Sequence, residues 1–204
     1  MTRNNETTLK KFTLDEISQI AGFGRSTDPS NPLSRQDGRE LLWLINEKLL
    51  DLNPQNILEI GVASGGTSLI LSTIFKNSSV VGMDLTDALL PNQLRAMSNF
   101  QMIIGNSNDH ATRDFLVETT GIEKFDFILI DGDHSESGVL GDYELYIPML
   151  REGGLACFHD VRLDPPKGIK PTWYGRLKGL MPGSEEYFVS PENTGFGYWI
   201  KNSS

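Results

Sequence analysis

The sequence holds one cysteine, three histidines and little clustered positive charge. A lone cysteine can make neither an internal disulfide nor a cysteine-rich zinc site. No stretch reaches the roughly 18 consecutive apolar residues of a membrane-spanning helix. The opening segment, Met1 to Lys11, is polar and mixed in charge, without the apolar centre of a secretory leader. These absences predict a cytoplasmic protein with no membrane partner. With 18 Lys and Arg against 27 Asp and Glu, the net charge is −9, and the cations form no stripe. Phosphate backbones are bound by clustered cations, so no nucleic-acid partner is expected. A small-molecule substrate fits better.

What is present fits one domain: 204 residues suffice to bury a core. Residues 1–36 form an N-terminal arm and residues 37–204 the domain proper. In the arm, Thr13-Leu-Asp-Glu16 has the form of a capping box opening a short helix to about Ala21. Gly22 to Pro32 is rich in Gly, Ser, Asp and Pro and predicts a loop. A helix from about Asp37 to Leu50 follows, with Leu41, Leu44, Ile45, Leu49 and Leu52 at helical spacing and Asn53-Pro54 as its stop.

Strand and helix then alternate. Short apolar runs at Asn56–Ile60, Ser79–Met83, Gln101–Ile104, Phe125–Ile130 and Gly154–Phe158 predict five strands. Cys157 lies in the last of these, as a small buried residue. Helices are expected near Gly66–Phe75, Pro91–Ser98, Asp109–Thr119 and Glu136–Leu150. Continuously apolar strands are those covered on both faces, as in a parallel sheet. After a Pro-rich loop and a helix near Thr172 to Leu180, Glu185–Val189 and Phe196–Lys201 are joined by Ser190 to Gly195, too short for a crossover helix. That predicts an antiparallel C-terminal hairpin. The fold class is therefore α/β: a Rossmann-like, doubly wound, seven-stranded sheet, mostly parallel.

Ligands of such sheets bind beyond the carboxyl ends of the strands. The first strand exits into Glu59-Ile-Gly-Val-Ala-Ser-Gly-Gly-Thr-Ser68. Gly61, Gly65 and Gly66 allow a tight turn and close ligand approach. This is not the dinucleotide Gly-x-Gly-x-x-Gly, and the acid before it suits an ammonium group better than a pyrophosphate. Asp84 ends the second strand, where a carboxylate can accept from both ribose hydroxyls. Gly105-Asn-Ser-Asn-Asp109 follows the third; these residues either touch a base or cap the next helix. Asp131-Gly-Asp-His-Ser135 and His159-Asp160 gather five ionisable side chains at two neighbouring strand ends.

Together these motifs resemble the class I S-adenosylmethionine-dependent methyltransferases, over roughly residues 37 to 201. More narrowly the chain is similar to the macrocin-type and rhamnosyl O-methyltransferases, with catechol O-methyltransferase more distant. The resemblance implies S-adenosylmethionine as cofactor and a small-molecule or sugar hydroxyl as acceptor. It assigns cofactor contacts to Glu59, Gly61, Ala63, Ser64, Gly65, Thr67, Ser68, Asp84, Asn106, Ser107 and Asp131. Asp131, His159 and Asp160 fall on the positions that hold a divalent ion, Mg2+ or Mn2+, in the catechol-type enzymes. Those enzymes offer oxygen at all three positions, and His159 departs from that pattern. Imidazole suits manganese, iron or zinc better than magnesium, so either the metal differs, His159 stands behind the ligands, or no metal binds. The implied catalytic residues are His134, Asp131 and His159, with His134 the favoured general base. Many relatives form homodimers, although no feature of this sequence demands one.

The loop Val161 to Pro171, together with Trp173 and Tyr174, either lines the acceptor pocket or packs the C-terminal helix. Three other readings compete. A nicotinamide-dependent oxidoreductase conflicts with the glycine spacing. A non-catalytic cofactor binder would not need the acid and histidine cluster. A metal-dependent hydrolase would leave the glycine turn and Asp84 without a purpose.

Overall fold

In the computed structural model, residues 10–22, 36–189 and 194–202 are described. The expected loop over residues 23–32 and most of the hairpin turn, residues 190–193, lie outside them. Helix α1 (Leu14–Ile20) opens with the capping box: the Thr13 hydroxyl accepts from the Glu16 amide, and the Glu16 carboxylate accepts from the Thr13 amide. Helix α2 begins at Gln36–Leu44, loosens into a π-turn at Ile45–Leu49 and closes at Leu50–Leu52. Asn53, with φ of 45°, terminates it ahead of Pro54.

The repeating core is β1 (Asn56–Ile60), α3 (Gly66–Ile74), β2 (Ser79–Asp84), α4 (Asn92–Arg95), β3 (Phe100–Ile104), α5 (His110–Thr120), β4 (Phe125–Ile130), α6 (Glu136–Tyr146) and β5 (Leu150–Phe158). Helix α7 runs through Lys170–Thr172, a π-turn at Trp173–Leu177 and Lys178–Leu180; β6 (Glu185–Tyr187) and β7 (Phe196–Ile200) complete the chain. Several boundaries differ from the sequence reading: the expected helix Pro91–Ser98 shortens to Asn92–Arg95, and the strand from Glu185 ends at Tyr187 and not at Val189. Two more have a clear physical cause. Helix α6 ends at Tyr146 and passes through a 3-10 turn, Ile147–Met149, that carries Pro148. Leu150 therefore starts a strand instead of ending a helix, and β5 is longer than the Gly154–Phe158 core. An apolar residue at helical spacing looks the same in either place; the proline decides, because it cannot continue the helical ladder.

The seven strands lie in the order β3-β2-β1-β4-β5-β7-β6. β1 to β5 pair in parallel, and β7 runs antiparallel between β5 and β6. Alternate residues of the strands feed two cores. On one face Leu58, Ile60, Ile128, Ile130, Ala156 and Phe158 pack with α6 and α7. On the other Ile57, Phe127, Leu129, Leu155 and Cys157 pack with α2, α3 and Ile17 of α1. The Cys157 thiol is buried, and burial pushes its pKa up, which keeps it protonated. Trp173 is likewise fully buried, against Phe158, while Tyr174 is exposed, so the tryptophan packs the helix. No helix among the described residues is long and apolar enough to cross a membrane.

The register positions the site. Ile60 lies beside Met83 and Ile130, Asp84 beside Ile104, and Ile130 beside Phe158. Five parallel strands thus end along one edge. The winding reverses between β1 and β4, and there the loops after β1, β2 and β4 diverge to leave a crevice.

Candidate active site

The crevice is built first by glycine. Gly61 adopts φ of +88°, and a Cβ there would sit 2.0 Å from the Asp131 carbonyl oxygen. Only a residue without a side chain lets the exits of β1 and β4 pass so closely. The Gly61 amide donates to the Met83 carbonyl at 2.9 Å, and the Asp131 amide to the Ile60 carbonyl at 2.8 Å. Three strand exits are therefore locked together at one point. Gly65 turns the chain into α3 with φ of 77°, its Cα face against Leu90, Pro91 and Leu94.

Asp84 closes one side. Its carboxylate accepts from the Ala63 amide at 2.8 Å and from the Leu85 amide at 2.7 Å. Each oxygen keeps a further lone pair for a ligand. Ile60, Gly61, Ala63, Met83, Asp84, Leu85, Gly105, Asn106, Ser107 and residues 131–133 enclose a cavity of about 570 Å³. That volume suits a nucleoside-sized ligand.

Glu59 lies behind this cavity, 3% exposed, in hydrogen-bond contact with the Ser68 hydroxyl. Burial, reinforced by the negative charges of Asp131 and Asp84, pushes its carboxyl up to about 8. Asp142, buried on α6, accepts from Asn108 Nδ2 at 2.9 Å, and burial raises its carboxyl to about 6. It holds from below the turn that carries Asn106 and Ser107.

Beyond Asp131 the exits of β4 and β5 meet in a cluster. His134 Nε2 lies 3.4 Å from Asp131 Oδ1 and 3.5 Å from Asp160 Oδ2. His159 Nδ1 lies 3.2 Å from Asp131 Oδ1 and 3.6 Å from Asp160 Oδ1. Burial works against ionisation of Asp131, but the charges and hydrogen bonds of His159 and His134 outweigh it and hold its carboxyl below the usual range. The hydrogen bond to Asp131, with the charges of Asp160 and Asp131, raises the His134 imidazole above its ordinary value. Asp160 adopts φ of 56°, and its carbonyl accepts from the Leu163 and Ile169 amides, which folds the loop 161–171 back on itself. Pro165 and Pro166 of that loop face Gly132, Asp133, His134 and Ser135 across a second cavity of about 410 Å³.

The sequence-derived residues separate into two groups. Gly61, Ala63, Asp84, Asn106, Ser107 and Asp131 line the larger cavity. Ser64, Gly65 and Thr67 belong to the turn and the first turn of α3, and Ser68 is buried against Glu59; these are not among the lining residues. Met83 and Leu85, not singled out in the sequence, are; so is Asp133, which the sequence placed in the ionisable cluster but not among the cofactor contacts. Asp131, His134 and Asp160 each offer a ligand atom within 4.8 Å of one another, as a divalent cation requires. In that triad His134 stands where the resemblance put His159, although His159 touches both carboxylates. The residue has a sequence signal, three positions past Asp131, but its approach to Asp160 depends on how two loops meet.

No curated protein matches the sequence. Among solved structures, the chain is similar to the MycE methyltransferase of the mycinamycin biosynthetic pathway, in complex with Mg, SAH and mycinamycin VI: TM-score 0.65 and 19% identity over 95% of this chain. The chain spans about half of that protein, 54% of its length. A caffeoyl-CoA O-methyltransferase-like protein of Staphylococcus aureus gives TM-score 0.59 at 22% identity, over 78% of this chain and 81% of its own. An O-methyltransferase-like protein of Klebsiella pneumoniae gives 0.60 at 15%, over 92% and 89%. At these identities the likeness establishes the fold. A family model described as a methyltransferase domain matches residues 58–161, half of the chain, from β1 through the cluster at Asp160. The chain belongs to this methyltransferase-domain family, on the sheet of the class I S-adenosylmethionine-dependent methyltransferases.

Proposed function

We propose that the protein transfers a methyl group from S-adenosylmethionine to a hydroxyl oxygen of a small molecule or sugar. One observation carries this reading. Two cavities adjoin at Gly132 and Asp133, one with the strand-end carboxylate of Asp84, the other with the imidazole of His134. A donor and an acceptor can therefore meet beside Asp131.

The residues of the larger cavity fit the donor. Asp84 has lone pairs for the ribose hydroxyls, Gly61 leaves room for close approach, and Asn106 and Ser107 line the wall beside which the base would lie. The carboxylates of Asp84, Asp131 and Asp133 suit a cationic ligand, whose sulfonium presents the methyl as an electrophile. The protein's part is chiefly positioning, which places the acceptor oxygen in line with the methyl. As the new oxygen–carbon bond forms and the sulfur keeps the electrons of the broken one, the hydroxyl proton leaves. His134 receives it, with Asp131 and Asp160 stabilising the imidazolium. His159 holds Asp131 from the other side. In the alternative route, with His134 as a ligand and not as the base, a divalent cation would be held by Asp131, His134 and Asp160 and would lower the pKa of the acceptor hydroxyl.

Calorimetric titration with S-adenosylmethionine, with and without Mg2+ or Mn2+, tests the reading. Micromolar binding is expected. No binding under either condition would discard it in favour of a metal-dependent hydrolase, the reading that the Asp and His cluster alone would support.

A further inference from the structure

We propose that Glu40, on α2 and outside both cavities, is a positioning residue for the exit of β5 where His159 and Asp160 stand. The inference rests on the methyltransferase reading only in calling that exit the reactive half of the site. Glu40 is fully buried. A buried carboxylate is costly unless donors surround it. Donors come from the segment joining β6 to β7: the Thr194 hydroxyl at 2.6 Å, the Gly195 amide at 3.1 Å and the Val189 amide at 3.4 Å.

The same segment backs the reactive exit. The Arg162 amide donates to the Thr194 carbonyl at 3.0 Å and the Val161 amide to the Gly195 carbonyl at 3.4 Å. Gly195 has φ of +70°, and a Cβ there would sit 2.9 Å from Arg162 Cγ. The His159 ring lies 4.7 Å from that of Phe196. A continuous run of bonds thus leads from Glu40 through 194–195 to 161–162, directly after Asp160. By contrast, the cofactor-sized cavity is built on the exits of β1 to β4, which the run does not touch.

Amide exchange and the imidazole spectrum of Glu40→Gln, Thr194→Val and Thr194→Ser test this; with three histidines the spectrum is readily resolved. In Glu40→Gln and Thr194→Val, the Val161 and Arg162 amides are expected to exchange about tenfold faster, the effect of losing one buried hydrogen bond. The His159 ring signals should shift, while the Gly61 and Asp131 amides keep their protection and affinity for S-adenosylmethionine stays within about twofold. Thr194→Ser, which keeps the hydroxyl, should restore wild-type exchange. Unchanged exchange at Val161 and Arg162 in a folded variant overturns the proposal. So does faster exchange spread equally to Gly61 and Asp131, which would mean general loss of stability. If Glu40→Gln does not fold, Thr194→Val decides by itself. Failure of the wild-type chain to bind S-adenosylmethionine would count against the functional reading and leave the exchange result standing.

Discussion

The Ala63 amide donates to the Asp84 carboxylate at 2.8 Å, tying the turn after β1 to the end of β2. One carboxylate thus shapes the glycine turn and faces the cavity that the turn encloses. Replacing Asp84 by Ala should weaken binding of S-adenosylmethionine roughly tenfold to hundredfold, the usual effect of removing a charged hydrogen-bond partner. Calorimetry on the folded variant measures this, and wild-type affinity would remove Asp84 from the site.

Gly61→Ala should be severe, because the new Cβ meets the Asp131 carbonyl at 2.0 Å and φ is +88°. Backbone cannot move aside as a flexible side chain can. A loss of about 3 kcal/mol in stability is expected from overpacking and strain together. Urea denaturation of the purified variant gives the value; a loss below about 1 kcal/mol would show that the strand exits can part.

Glu59 should make stability depend on pH. Its folded pKa of about 8 exceeds the unfolded 4.5. Between these values the folded state holds a proton that the unfolded state has lost. Its contribution is therefore full below pH 4.5 and declines, by about 1.4 kcal/mol per pH unit, until pH 8. Relative to Glu59→Gln, the wild type should lose stability as pH rises from 5 to 8. Parallel melting temperatures for the two proteins across that window would contradict it.

His134→Ala should lower turnover of an accepted hydroxyl substrate by about a hundredfold or more, with cofactor affinity spared. In the wild type, the free base is needed and its pKa is raised above 6.5. Turnover should therefore climb with pH beyond 6.5. A variant that keeps full activity would take His134 out of the reaction.

Asp160→Asn tests the cation. Asparagine tolerates the left-handed backbone at this position, so the loop should survive the change. Mn2+ followed by paramagnetic resonance should bind at least about tenfold more weakly, given the lost charge. If Mn2+ binds the wild type and variant alike, Asp160 is not a ligand.

Much of this was legible in the chain. Strands buried on both faces must be short and apolar throughout, so β1 to β5 stand out from their neighbours. Gly61 and Gly65 announced a tight turn because few other residues take those dihedrals. Asp84, Asp131, His134 and His159-Asp160 stood out because nothing in an apolar strand requires ionisable groups at its exit. Other features had no such signal. Ser68 is one polar residue among several in its turn, and only packing directs it to Glu59. Glu40 reads as an ordinary helix acid until the far end of the chain folds over it.

The sequence by itself determined the alternation of strands and helices, the glycine turn and the polar strand ends. All of these follow from local periodicity and local dihedral preference. Tertiary structure alone decided that β7 lies between β5 and β6, that His134 reaches both Asp131 and Asp160, and that Glu40 supports the β5 exit from behind. Glu40 lies 155 positions from Gly195, the β5 and β7 partners such as Phe158 and Gly197 are far apart in sequence, and His134 meets Asp160 only where separate loops converge. Only the closing of a whole sheet fixes such distances, since register and packing are shared by every strand at once.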